Sequence, residues 1–343
     1  MTDVIIRIEG KAGRITLNRP QVLNALTYDM VGMIAQALDD WERGNAVRLV
    51  MIEGAGERAF CAGGDIQSLY QTGRSHPEIG RRFWFDEYRL NARIHHYPKP
   101  YVAIMDGITM GGGAGISIHG SHRIVTERST VAMPEASIGF MPDVGSTRLL
   151  ADAPGETGLY IGLTAARMSA ADAIYAGFAD TYVPSQRLAE LKAELVETGD
   201  VSVIKSFAEA PLISELEQSL ERIDYFFGRG TLTETVGALE DANGKWEVAT
   251  LNALRHVSPF SAAATFEAIH RARKSRGLES CLATEYRFSW RSLEGEDFFE
   301  GIRAAVIDKD RKPTWQIARI EDVPSDAVKQ VFAPLGEHEW SPA

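Results

Sequence analysis

Three consecutive glycines, Gly111-Gly112-Gly113, sit in the apolar run MGGGAGI, just after the strand-like segment 101–105. Side-chain-free residues in apolar surroundings have two uses. They let a helix pack closely on a strand, or they open a helix whose bare backbone N–H groups can hold negative charge. The same stretch, 111–145, continues to Glu135 after Pro134 and Asp143 after Pro142. Donors for a developing oxyanion beside two acids point to chemistry at a carbonyl. A second glycine turn, Ala62-Gly63-Gly64-Asp65, also leads into a helical segment.

Composition narrows the classes. The 343 residues are 45% apolar, enough for a substantial core. A net charge of −11 argues against a nucleic-acid surface, because phosphate binding needs a basic face. Two distant cysteines, Cys61 and Cys281, form neither a disulfide framework nor a metal pattern. The eight histidines show no ligand spacing, so no metal is expected. No apolar run reaches the roughly 20 residues of a membrane span, and no membrane partner is expected. The start, MTDVIIRIEGKAG, has no signal-peptide core. These features give the expectation of a cytoplasmic protein.

The element order reads as α/β. Segments 4–8 and 12–18 are short strands, and 25–41 is a helix with Thr27 as N-cap. Segment 47–53 is an apolar strand. Segment 71–80, QTGRSHPEIG, reads as a mobile polar loop, followed by an amphipathic helix over 81–96. A helix is expected from the glycine triplet through Ile118, then strands at 123–126, 130–132 and 179–183. Beyond about residue 188 long polar helices dominate: 188–197, 214–227, 232–241, 246–255, 262–276 and 282–291. The domain organisation is therefore 1–200 as the α/β region and 201–343 as a C-terminal helical region.

Singly, the motifs are ambiguous. The glycine triplet is no phosphate loop, since no Lys-Ser or Lys-Thr follows, and its spacing fits a dinucleotide fingerprint badly. Glu135 reads as a surface acid or as a partly buried functional one, given the apolar IGFM nearby. Asp143 alone reads more simply as a turn former. Cys61 reads as a small buried filler.

In combination they resemble the crotonase, or enoyl-CoA hydratase/isomerase, superfamily. The likeness rests on LNRPQVLNALTYDM, AFCAGGDI, MGGGAG and MPEASIGFMPDVGSTRLL, four blocks in order. Within it the closer likeness is to the 3-hydroxyisobutyryl-CoA hydrolase subfamily, carried by FDEYRLN, MPDVG and the C-terminal segments HVSPFSAAATFEAI, ATEYRFSWRS and GEDFFEGIRAAVIDKDRKPTW. The resemblance implies a crotonase-like spiral of repeated ββα units with a C-terminal all-helical region. It implies an acyl-CoA thioester as ligand and an oxyanion hole from the N–H groups of Gly64 and Gly112. Glu135 and Asp143 are the implied catalytic acids, and Glu87 an implied substrate contact. Hydratases of the superfamily carry a glutamate three positions after the middle glycine, which is Gly115 here, and many have glycine where this chain has Asp143. Adding water across a double bond needs both glutamates, so the exchange favours hydrolysis.

The implied reaction is 3-hydroxyisobutyryl-CoA plus water to 3-hydroxyisobutyrate and CoA, a step of valine breakdown, with no cofactor beyond the CoA of the substrate. Glu135 acts as nucleophile or as general base. The alternatives are an enoyl-CoA hydratase or isomerase on the same fold, and a non-catalytic acyl-CoA- or RNA-binding homologue. For the C-terminal helices two outcomes stay open: a homo-oligomer, trimer or hexamer, built through them, or helices that cover their own core.

Overall fold

The computed structural model describes residues 2–275 and 277–342. Its nine strands are β1 (Val4–Glu9), β2 (Ala12–Leu17), β3 (Leu49–Gly54), β4 (Ala59–Cys61), β5 (Tyr101–Met105), β6 (Ile108–Met110), β7 (His122–Val125), β8 (Thr130–Ala132) and β9 (Thr181–Tyr182). They form a six-stranded sheet, β1-β2-β3-β5-β7-β9, and a three-stranded sheet, β4-β6-β8. The β1–β2 hairpin is antiparallel, and the other pairs of the large sheet are parallel. Each of β3, β5 and β7 is followed at once by a strand of the small sheet. The chain thus winds as a spiral, visiting each sheet once per turn. The first five residues of β3 and all of β5 are buried, as expected for parallel strands covered on both faces.

The chain divides into two compact units, each made of three stretches. The first comprises Met1–Gly64, Asp86–Val131 and Met168–Glu215; the second comprises Asp65–Phe85, Ala132–Arg167 and Leu216–Ala343. The first unit carries the large sheet. Met51, Val102, Ile104 and Ile124 cluster with Leu188, Leu191, Leu195 and Phe207 in a continuous core. Trp41, on the helix Tyr28–Glu42, lies so close over Gly13 that a Cβ there would overlap its ring. Thr27 caps that helix, accepting a hydrogen bond from the Met30 N–H.

The second unit is mainly helical. A side chain at Gly158 would overlap the Leu150 carbonyl oxygen, so the helices Ser146–Asp152 and Thr157–Thr164 meet almost backbone to backbone. Gly162 sits against Thr265 and Ile269 of the helix Pro259–Ser275. After β9 every further element among the described residues is helical, matching the expected C-terminal region in character.

Four expectations are corrected. Residues 71–80 are not a long loop: one helix runs to Thr72 and the next begins at Pro77, a residue suited to a helix's first turn. The helix after the triplet is only Gly112–Gly115, because glycine propagates a helix poorly. The helix expected over 214–227 is two, Glu215–Gln218 and Leu220–Phe227. Strands β4 and β6 were not expected as strands, since each is three residues long and abuts a glycine turn. The helix expected over 262–276 is Pro259–Ser275, and its last expected residue lies outside the described residues.

Candidate active site

In the first unit, the two glycine turns lie side by side. The β4 strand ends at Cys61, and Gly63 follows with φ +112°, a conformation that favours glycine. Its carbonyl accepts a hydrogen bond from the Leu26 N–H at 2.8 Å, and Leu26 pairs with Gly64 in a parallel bridge. Gly111, with φ +51° and ψ −125°, turns the chain into the helix that Gly112 opens. A Cβ built on Gly112 would stand 2.5 Å from Glu87 Oε1 and 3.4 Å from the Gly64 nitrogen. Gly64, Gly112 and Glu87 are therefore neighbours, and any side chain on Gly112 would fill the space they share. A Cβ on Gly113 would overlap the Cys61 carbonyl oxygen, so the short helix rides directly on β4. Within the triplet, Gly113 provides close packing and Gly112 opens the short helix.

Glu87 is buried on the helix Pro77–His95. One turn further, Asn91 is fully buried, and neither atom of its amide finds a hydrogen-bond partner among the described residues. Its signal in the sequence was a polar residue four positions after Glu87, on the buried face. Cys61 is buried, its thiol pushed up to about 12 by burial, as befits a filler rather than a nucleophile.

In the second unit, Glu135 opens a single 3₁₀ turn, Glu135–Ile138, between Pro134 and Gly139. The Phe140 N–H donates to the Glu135 carbonyl at 3.0 Å, and Gly139 closes the turn at φ +71°. This turn is fixed from several sides. A side chain at Gly139 would overlap the Asp297 carbonyl, and one at Gly301 would overlap the Ile138 backbone. The Ser258 N–H donates to the Ala136 carbonyl at 2.9 Å, while the Ser258 hydroxyl donates to Asp297 at 2.7 Å. Trp84 stacks on Phe140, with ring centroids 5.2 Å apart, and Phe298 lies 5.2 Å from the same ring.

Asp143 follows on the same loop. Glu135 and Asp143 are 6% and 5% exposed, so neither is the solvated acid that a lone carboxylate usually is. After Asp143 come two left-handed residues, Val144 at φ +54° and Gly145 at φ +80°. Glu285, on the helix Leu278–Ser292, reaches this turn and accepts from Gly145 and Thr147. The sequence reading missed Glu285. Its signal was a carboxylate three positions after Leu282 and next to Tyr286, on the face that proves buried. Gly115, where hydratases carry a glutamate, is buried in the short helix.

Among the described residues, no three His, Cys, Asp or Glu side chains group as a metal site would require. No described helix is long and apolar enough to cross a membrane.

Comparison with known proteins gives a consistent result. The enoyl-CoA hydratase/isomerase family pattern matches residues 12–332. The 3-hydroxyisobutyryl-CoA hydrolase of Gallus gallus, a mitochondrial protein, is 37% identical over 98% of this chain and 90% of its own length. Among solved structures, an enoyl-CoA hydratase from Rhodobacter sphaeroides shares 46% identity, with a TM-score of 0.95 over 99% of this chain and 100% of that one. A carnitinyl-CoA dehydratase from Mycobacterium thermoresistibile shares 42% identity, with the same TM-score over 99% of each chain.

Proposed function

Because the chain belongs to the enoyl-CoA hydratase/isomerase family, we propose that it is a thioester hydrolase converting 3-hydroxyisobutyryl-CoA and water to 3-hydroxyisobutyrate and CoA. One observation carries the choice within the family: two buried acids, Glu135 and Asp143, share one rigid loop, while Gly115 offers no carboxylate for hydration. Near-full-length similarity to hydrolases of this substrate supports the same reading. The step belongs to valine breakdown.

The roles divide as follows. The thioester carbonyl oxygen accepts hydrogen bonds from the N–H groups of Gly64 and Gly112. Each donor contributes about 3 kcal/mol once the oxygen becomes an anion. Glu135 supplies the reactive carboxylate. On one route it attacks the carbonyl carbon, the C–S bond breaks, and water then opens the mixed anhydride. On the other it takes a proton from the water that attacks. Asp143 holds the substrate hydroxyl or delivers a proton to the departing thiolate, and Glu87 completes the polar wall around the acyl group. Backbone and side chains fill every role, so no cofactor is invoked. A cytoplasmic location and assembly through the C-terminal helices are further proposals, resting on composition and on the resemblance.

A second reading, hydration of a double bond, is favoured by the two solved relatives named for hydratase and dehydratase reactions. One assay separates them. Free thiol is followed across short acyl-CoAs with and without a 3-hydroxyl, and crotonyl-CoA is followed by its enoyl absorbance. We expect release from 3-hydroxyisobutyryl-CoA and a constant enoyl absorbance. Glu135→Gln should slow release by about 10³-fold with acyl-CoA binding little changed. Rapid loss of the enoyl absorbance without thiol release would establish the second reading instead.

A further inference from the structure

The turn after Asp143 is unusual. Val144 is β-branched, fully buried and left-handed, a conformation that such a residue rarely adopts because its Cβ crowds the backbone. A second left-handed residue, Gly145, follows directly. Any relaxation of this turn would move Asp143, which directly precedes it. Glu285 opposes that relaxation. Its Oε2 accepts the Gly145 N–H at 2.6 Å. Its Oε1 accepts the Thr147 N–H at 3.1 Å and the Thr147 hydroxyl at 2.5 Å. Both N–H groups lie within five residues of Asp143, and the Ser146 N–H between them donates back to the Asp143 carbonyl at 2.9 Å. Glu285 itself is fully buried, and desolvating a carboxylate is costly unless it makes such bonds. A Leu or Met would fill the volume but leave two buried N–H groups unmet.

We propose that Glu285 is a positioning residue that holds the left-handed turn Val144-Gly145 and so sets the orientation of Asp143 for thioester cleavage. The inference rests on the role proposed above for Asp143. Glu285 need not touch the substrate; it acts through the loop.

Four proteins test it by thiol release: wild type, Asp143→Asn, Glu285→Gln and the double variant. Glutamine keeps the volume but offers one acceptor oxygen where the turn presents two N–H groups. We expect Glu285→Gln to lower kcat about 10-fold while KM stays within about 3-fold, as for loss of an interaction that matters in the transition state. The double variant should be no slower than Asp143→Asn alone, because residues that act as one unit are not additive. If the two losses multiply, Glu285 acts independently of Asp143 and the proposal fails. A Glu285→Gln enzyme with wild-type kcat beside an impaired Asp143→Asn enzyme also overturns it, leaving the role of Asp143 intact. An unimpaired Asp143→Asn enzyme would remove that role, and this inference with it. Should Glu285→Gln fail to fold, Glu285→Asp, which withdraws the carboxylate by one methylene, carries the same comparison.

Discussion

Glu285 is pushed up to about 8, first by burial, against the hydrogen bonds from Thr147 and Gly145, with the charge of Asp143 adding to the rise. Cys281, the other titratable group coupled to it, is pushed up to about 12 by burial and then by Glu285. An acid raised in the folded state binds a proton that the unfolded chain releases. Stability from this group is therefore complete below the ordinary value of 4.5 and is lost as pH rises toward about 8. Glutamine cannot titrate. The melting temperature of wild type relative to Glu285→Gln should thus fall across that window and level off above it. A flat difference would show that Glu285 is not raised. At this scale the sequence singles out Glu135 and Asp143, each directly after a proline, and Glu87 through the segment FDEYRLN. Glu285 lies 142 positions beyond Asp143 and has no such marker. Only folding brings its carboxylate to the turn.

At the scale of elements, glycine placement governs how closely helices and strands approach. Gly113 is the clearest case, because its helix and β4 touch through backbone atoms. Gly113→Ala should force the helix away from β4, displacing Gly112 with it. The expected result is a melting temperature lower by several degrees, from overpacking of about 1–3 kcal/mol, together with slower thiol release. Thermal melting and the same release assay check both, and a variant as stable as wild type would show that the backbone yields freely. Most elements were legible from periodicity and caps, including the strands at the N-terminus and the helix capped by Thr27. In the small sheet β8 was legible at 130–132, but β4 and β6 were not, because three residues beside a glycine turn owe their form to neighbours in space.

On the scale of the whole molecule, each compact unit gathers distant stretches of chain, and charged contacts help to join them. In the first unit Lys192 donates to Glu53 at 2.9 Å, and Arg14 pairs with the same carboxylate. Burial pushes the Glu53 carboxyl up, but the charges of Lys192 and Arg14 outweigh it and hold it below its ordinary 4.5. Stability from this group is present above that value and lost as pH falls through the lowered one. Lys192→Met should cost about 2 kcal/mol at neutral pH, less than a fully buried pair because Lys192 is 27% exposed. The deficit should shrink in acid, where Glu53 is protonated in both proteins; urea unfolding at two pH values measures this. The amino-acid sequence alone determined the α/β class, the helical character after residue 200 and the family, and it nominated the acids and glycines proposed for the site. These depend on local periodicity and on short motifs, which the order of residues records directly. The tertiary structure decided which stretches form each unit, that Glu135 and Asp143 are buried on a clamped loop, and that Glu285 is the clamp. Those facts depend on contacts between residues far apart in the chain, made only when side chains leave water and buried polar groups must find partners.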